Sequence, residues 1–171
     1  MISGRTISLH PLERRHLDRT RAWANDPELA RLMDRARPVA QAEHERWFAS
    51  LREQTDRAYF AIELNEGARH IGNVWLWAID RRHRKAELRI VIGEHDCLEK
   101  GTGTETISLV CSYAFENLGL HKVYAYVLAT NPRARRAFEK AGFTLEGTLK
   151  EDRHVDGGFT DVYLLGKIQG Q

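Results

Sequence analysis

Cysteine, proline and long apolar runs are all scarce in this chain of 171 residues. Its two cysteines, Cys97 and Cys111, are too far apart for a CxxC redox or zinc pair and do not suggest a disulfide framework. A reducing, cytoplasmic setting is the simplest expectation. No apolar run approaches the roughly 20 residues needed to span a bilayer, and the opening MISGRTISLH lacks the apolar core of a signal peptide, so no membrane partner is expected. The prolines, Pro11, Pro27, Pro38 and Pro132, sit singly, and no repeat, linker or low-complexity tract divides the chain. One domain spanning residues 1–171 is predicted. Excess charge is missing too: 26 Lys and Arg against 24 Asp and Glu leave a net +2, which offers no general attraction for nucleic acid. The eight histidines include no helical ligand pair three or four residues apart, and no metal is expected.

The patterns that are present belong to an α/β chain. Alternation at residues 6–9 predicts a first strand, and apolar residues at helical spacing follow over 17–24 and 40–51, joined by a short polar connection around Asn25, Asp26 and Pro27. Residues 59–64, 71–79 and 86–92 read as an antiparallel meander with turns at 65–67 and 80–83. Within it, Trp75 and Trp77 alternate with Val74, Leu76 and Ala78, which predicts burial on both faces. Trp23, Trp47 and Phe48 fall at helical positions and are taken as core first. A helix through Ile107, Val110, Cys111 and Ala114 stops at Gly119 and leads to a strand at 122–129. Asn131-Pro132 starts another helix, Asn as cap and Pro at the first helical position, which stops at Gly142. Residues 143–149 and 160–168 close the chain as a hairpin around Asp156-Gly157-Gly158.

Two stretches carry chemistry. Between a strand and a helix lies Cys97-Leu98-Glu99-Lys100-Gly101-Thr102-Gly103-Thr104-Glu105, whose glycines let backbone N–H groups face an anion at a helix N-terminus. It lacks the Lys of a P-loop, and Thr106 replaces the third glycine of a dinucleotide fingerprint. The second stretch is Asn131-Pro132-Arg133-Ala134-Arg135-Arg136-Ala137-Phe138-Glu139-Lys140-Ala141-Gly142-Phe143. The basic run Arg81-Arg82-His83-Arg84-Lys85 is read as a charged hairpin turn.

Together with Ala86-Glu87-Leu88, these stretches resemble the GNAT superfamily of N-acetyltransferases, particularly the branch that acetylates ribosomal-protein N-termini. The resemblance covers essentially the whole chain. It implies an α/β GNAT fold: a mixed, mostly antiparallel central sheet flanked by helices and splayed between strands 4 and 5, here residues 86–92 and 122–129. It also implies acetyl-CoA in the splay as co-substrate. Pantetheine would pair with backbone at Ile90, Val91 and Ile92, and Lys100, Gly101, Thr102, Gly103 and Thr104 would cradle the pyrophosphate. Asn131 matches the family asparagine that contacts the cofactor or the substrate and is taken as both a catalytic and a cofactor-binding residue; Phe138 also falls at the cofactor, and one of Arg133, Arg135 and Arg136, with Arg136 chosen, would meet the CoA 3′-phosphate.

The implied reaction is direct attack of a primary amine on the thioester, with no acyl-enzyme. An amine of pKa near 10 must lose a proton at neutral pH. Glu87 is the candidate base, weighed against a surface ion pair with Arg89 or Arg84. Many family members have a tyrosine where this chain has Phe138, so Tyr126, with Tyr124 beside it, is the candidate to protonate the thiolate. Leu98 and Glu99 also depart from the family pattern. The branch favours a peptide α-amine as acceptor, with an amino sugar or other small amine as the alternative and a non-catalytic CoA sensor ranked below both. A homodimer is compatible with the sequence.

Overall fold

The computed structural model describes residues 1–33 and 38–171. In chain order its elements are β1 (Ile2–Ser3), β2 (Ile7–Pro11), α1 (Leu17–Ala24), α2 (Pro27–Leu32), α3 (Gln41–Ser50), β3 (Ala58–Leu64), β4 (His70–Asp80) and β5 (Lys85–Ile92). Then come α4 (Thr102–Ser112), β6 (Lys122–Leu128), α5 (Pro132–Lys140), β7 (Thr144–Val155) and β8 (Gly158–Ile168). The strands form one sheet in the order β1-β2-β3-β4-β5-β6-β8-β7. This is the mixed, mostly antiparallel sheet expected, with two additions. The short β1 pairs with β2, and α2 replaces the expected polar connection. Asp26 caps α2, its side chain accepting the Glu28 and Leu29 N–H groups, and Pro27 opens the helix.

The pair β5–β6 is parallel and α4 is its crossover; the other strand pairs are antiparallel. Its ladder covers only Lys85↔Lys122, Ala86↔Val123 and Glu87↔Tyr124. Beyond Glu87, β5 stays paired with β4 as far as Gly72↔Ile92, while β6 stays paired with β8 as far as Leu128↔Val162. The two strands therefore part, leaving the β5 edge from Leu88 to Ile92 without a neighbouring strand. A bulge in β4 between Trp77 and Asp80 lies beside the point of parting, with Ala78 at φ +50°. Bulges bend a strand and increase its twist.

The sheet's two faces differ. On one, Val74, Leu76, Ala86 and Leu88 pack against Ile107, Val110 and Cys111 of α4, all essentially inaccessible to solvent. Each such side chain contributes roughly 1.5–3 kcal/mol on burial. On the other, a small cluster of Trp23, Leu29 and Val91 gathers Met33 and Trp75 at its margin. The expectation of a β4 buried on both faces therefore fails: Trp75 and Trp77 are only half-buried. Too few helical residues cover them. Trp23 does join a core, whereas Trp47 and Phe48 of α3 are half-buried. No helix among the described residues is long and apolar enough to cross a membrane, and no group of three potential metal ligands occurs among them.

Candidate active site

The chain from β5 into α4 builds an anion-binding end. Gly101 takes φ +84° as the N-cap, a left-handed conformation that suits glycine. The first backbone bond of the turn runs from the Glu105 N–H to the Gly101 carbonyl. The N–H groups of Thr102, Gly103 and Thr104 thus point out of the helix without intrahelical partners. The Thr102 hydroxyl donates to the Cys97 carbonyl at 3.0 Å and pins the loop. A Cβ at Gly103 would meet only Ala137 of α5, at 4.0 Å, so the missing side chain keeps a channel open between the helices. Gly103 itself lies inside the first helical turn.

That channel is part of a cleft of about 250 Å³ lined by Ile90, Val91, Ile92, Gly101, Thr102, Gly103 and Thr104, and by Asn131, Arg136 and Phe138 from the α5 side. Of the expected cofactor residues, Lys100 alone is missing from the lining; its side chain is exposed. Leu98 and Glu99 line the cleft where Lys100 does not. Glu99, at φ +59°, approaches Arg136 at 3.8 Å. Arg133 also lines the cleft, whereas Arg135 pairs with Glu139 at 2.8 Å and lies over the Tyr163 ring. Asn131 caps α5, its Oδ1 accepting the Ala134 N–H at 3.1 Å; this leaves its amide nitrogen as the donor.

Where the strands part, a second cavity of about 440 Å³ brings together Glu87, Tyr126, Asn131 and Phe138. Glu87 is 7% exposed, so the surface-strand reading of it fails, although its ion-pair partner is Arg89 as expected. Arg89 donates to the carboxylate from Nε at 2.7 Å and from Nη2 at 3.0 Å, a forked geometry that fixes its orientation. Arg84 is elsewhere, donating to the Gly119 carbonyl. Tyr126 is 44% exposed, and its ring meets that of Tyr124 at 5.9 Å. Burial, then the charge of Glu87, pushes the Tyr124 phenol above its ordinary pKa. Phe138 is buried against Phe143.

A third cavity, about 260 Å³, opens on the aromatic face and is walled by Trp47, Tyr59, Trp75 and Trp77. Met33 borders all three cavities. Trp75 and Arg89 border both the second and the third. The third cavity is polar at Thr20 and Asn73, which continue into a buried network behind it. His70 Nε2 lies 2.9 Å from Asn73 Oδ1, Asn73 donates to the Thr20 hydroxyl at 3.0 Å, and that hydroxyl donates to the His16 carbonyl at 2.8 Å. His16 Nδ1 accepts the Glu13 N–H and its Nε2 meets the buried Glu63 at 2.8 Å, which requires the neutral Nε2–H tautomer. Burial holds His16 below the ordinary histidine pKa and brings His70 down to about 4. Both are uncharged at neutral pH. This network has no local signature in the sequence, because His16, Asn73 and Glu63 are scattered along the chain and meet only in the fold.

Both cysteines are buried. Burial pushes the Cys111 thiol up to about 12, and Cys97 Sγ lies 3.0 Å from Arg69 Nη2.

An acetyltransferase (GNAT) domain model matches residues 6–144. The spermidine N(1)-acetyltransferase of Vibrio cholerae is 40% identical over 102 residues, 59% of this chain and 58% of that protein, so the match spans less than two thirds of that relative. The Escherichia coli K12 spermidine N(1)-acetyltransferase is 28% identical over 172 residues, covering 100% of this chain and 90% of that protein. The crystal structure of the V. cholerae spermidine N-acetyltransferase with CoA and spermine superposes with a TM-score of 0.89 at 28% identity, over 96% of each chain. These relatives are spermidine enzymes rather than members of the ribosomal-protein branch that the motifs suggested. The chain belongs to the acetyltransferase (GNAT) family.

Proposed function

We propose that this chain, acting as a single domain, transfers the acetyl group of acetyl-CoA to a primary amine of a small polyamine by direct attack. The observation that carries this reading is the parting of β5 and β6 after Glu87 and Tyr124, where the cavity of Glu87 shares Ile90, Asn131 and Phe138 with the cleft at the α4 N-terminus and Trp75 and Arg89 with the aromatic cavity. Acetyl-CoA fits the cleft by its chemistry. Unpartnered N–H groups at Thr102, Gly103 and Thr104 suit a pyrophosphate, the unpaired β5 edge at Ile90, Val91 and Ile92 suits the amides of pantetheine, and Arg136 suits the 3′-phosphate. Lys100 is left out of this assignment because it lies outside the cleft.

The acceptor amine attacks the thioester carbonyl carbon; a C–N bond forms, the C–S bond breaks, and the amine's proton is lost. Glu87 takes that proton directly or through a water, with Arg89 fixing its orientation. Tyr126 supplies a proton to the departing thiolate, a role closed to Phe138. Asn131, with its amide nitrogen left as a donor, borders both the cleft and the cavity of Glu87. The acceptor class rests on the spermidine enzymes among the relatives and on a lined cavity sized for a small molecule. Thiol release from acetyl-CoA over spermidine, spermine, an amino sugar and a peptide α-amine tests it. Spermidine or spermine should lead by kcat/KM, and a peptide lead would restore the N-terminal reading.

A further inference from the structure

The third cavity has a wall suited to a cation. Along one face, Trp47 meets Tyr59 edge-on at 5.7 Å and 84°, and Tyr59 stacks on Trp75 at 5.8 Å and 19°. Tyr59 and Trp75 are cross-strand partners on β3 and β4, so the sheet itself sets their spacing. The next aromatic along β4, Trp77, already carries cations from the protein: Arg57 lies 3.4 Å from its ring centroid and Arg89 4.6 Å. Trp75 and Tyr59 continue this surface into the cavity. Ammonium groups are attracted to such rings because the faces carry negative potential. At the polar end the lining is Thr20 and Asn73, and the guanidinium of Arg89, which also borders the cavity, is held by the Glu87 carboxylate. Glu43 borders the same cavity.

We infer that Trp47, Tyr59 and Trp75 form a subsite for a second, non-reacting ammonium group of the acceptor. The inference rests on the polyamine reading above and adds the residues that select the substrate. It requires the two ends of one acceptor to be treated oppositely: near Glu87 an amine must lose its proton, whereas on the aromatic wall a charge is retained. Glu87 faces Trp77 and Arg89 faces Trp75. The subsite therefore lies two residues along the sheet and one or two strands across from the base. With strand spacings of about 3.3 Å per residue and 4.8 Å between strands, reacting nitrogen and bound cation would be roughly 8–12 Å apart.

Two probes separate charge from shape. Each carries a primary amine on an alkyl chain of about seven methylenes, a length near the middle of that span; one ends in a trimethylammonium group, the other in a neutral tert-butyl group. Trimethylammonium cannot donate hydrogen bonds, so its preference over the isostere reads attraction to the rings. Calorimetry on the wild-type protein with CoA bound should show the cationic probe binding about 3- to 30-fold more tightly. Trp75→Leu and Tyr59→Leu should each reduce that ratio towards one, with acetyl-CoA affinity unchanged. Equal binding of the two probes, or binding of neither, by the wild type overturns the subsite without needing any variant to fold. The function fails separately: a cationic preference with no acetylation of spermidine or spermine would keep the subsite and remove the polyamine assignment. Turnover of spermidine with no cationic preference would do the reverse.

Discussion

The two faces of β4 and β5 are made by the same strands and do different work. Val74, Leu76, Ala86 and Leu88 point towards α4 and seal a core. Trp75, Trp77, Glu87 and Arg89 alternate with them and line open cavities. The sealed face supports the cleft proposed for acetyl-CoA, which offers mostly main-chain groups at the α4 N-terminus and the free β5 edge. The open face offers side chains: a carboxylate, a guanidinium and a row of rings. Cofactor binding should therefore respond to changes that block the backbone, and acceptor chemistry to changes of single side chains.

The largest expected effect tests that division at Glu87. Glu87→Gln keeps the shape and removes the basic carboxylate, so kcat should fall about 10²- to 10⁴-fold while acetyl-CoA affinity stays nearly constant. The loss should shrink as pH rises and more acceptor amine is already neutral. Steady-state kinetics across pH decide it: wild-type turnover at neutral pH would reduce Glu87 to the ion-pair partner of Arg89.

The buried histidines behind the open face should show themselves in stability. His70 is held down to about 4 from an ordinary 6.5, so as pH falls the unfolded chain binds the proton first. Its contribution is present above pH 6.5 and is lost progressively between 6.5 and 4; the gap corresponds to at most about 3.4 kcal/mol. His16, lowered in the same direction beside Glu63 and Arg15, adds to the slope. Urea unfolding at pH 7 and pH 4.5 should show a smaller pH dependence for His70→Gln than for wild type. An unchanged slope would mean that His70 is not the group responsible.

On the sealed side, Gly103→Val should fill the channel toward Ala137 and weaken acetyl-CoA binding by tenfold or more, about 1.4 kcal/mol or above. Gly103 has helical rather than left-handed geometry, so folding should tolerate the change better than at Gly101. Unchanged affinity by calorimetry would place the phosphates elsewhere. Spermidine KM, governed by the other face, should move little.

The same contrast governs what could be read from the chain. Main-chain devices leave local signatures: the Gly101 cap, the Asn131-Pro132 helix start and the Asp156-Gly157 turn, whose φ values of +53° and +79° suit a two-residue hairpin. Even so, Asp26-Pro27 carries the same cap-and-proline signal as Asn131-Pro132 and still looks like a connection in the sequence, because only six residues of helix follow it. The hairpin looks shorter in the sequence than it is because residues 150–154 of β7 are polar on both faces, yet the strand pairs through Val155↔Gly158. Trp75 and Trp77 misled for the opposite reason, since apolar periodicity on one strand cannot report whether a helix covers it. The polar partners on β5 were the available signal: Glu87 and Arg89 sit across from Trp77 and Trp75, and charged residues there argue against a sealed face.

The smallest expected effect concerns Glu99, the acidic side chain that lines the cofactor cleft among the described residues. Glu99 lies at its margin and approaches Arg136 at 3.8 Å. A bound 3′-phosphate or pyrophosphate would compete with this carboxylate for the guanidinium and be repelled by it. Both side chains are largely exposed, where such a pair is worth at most about 1 kcal/mol. Glu99→Gln should therefore tighten acetyl-CoA binding by no more than about fivefold, and added salt should erase the gain because exposed charges are screened within roughly 10 Å at 0.1 M. Calorimetric titration at low and high salt is the measurement. Weaker binding of acetyl-CoA by Glu99→Gln would mean that the carboxylate orders the loop ahead of α4. Arg136 would then need it as a partner rather than meet a phosphate in its place.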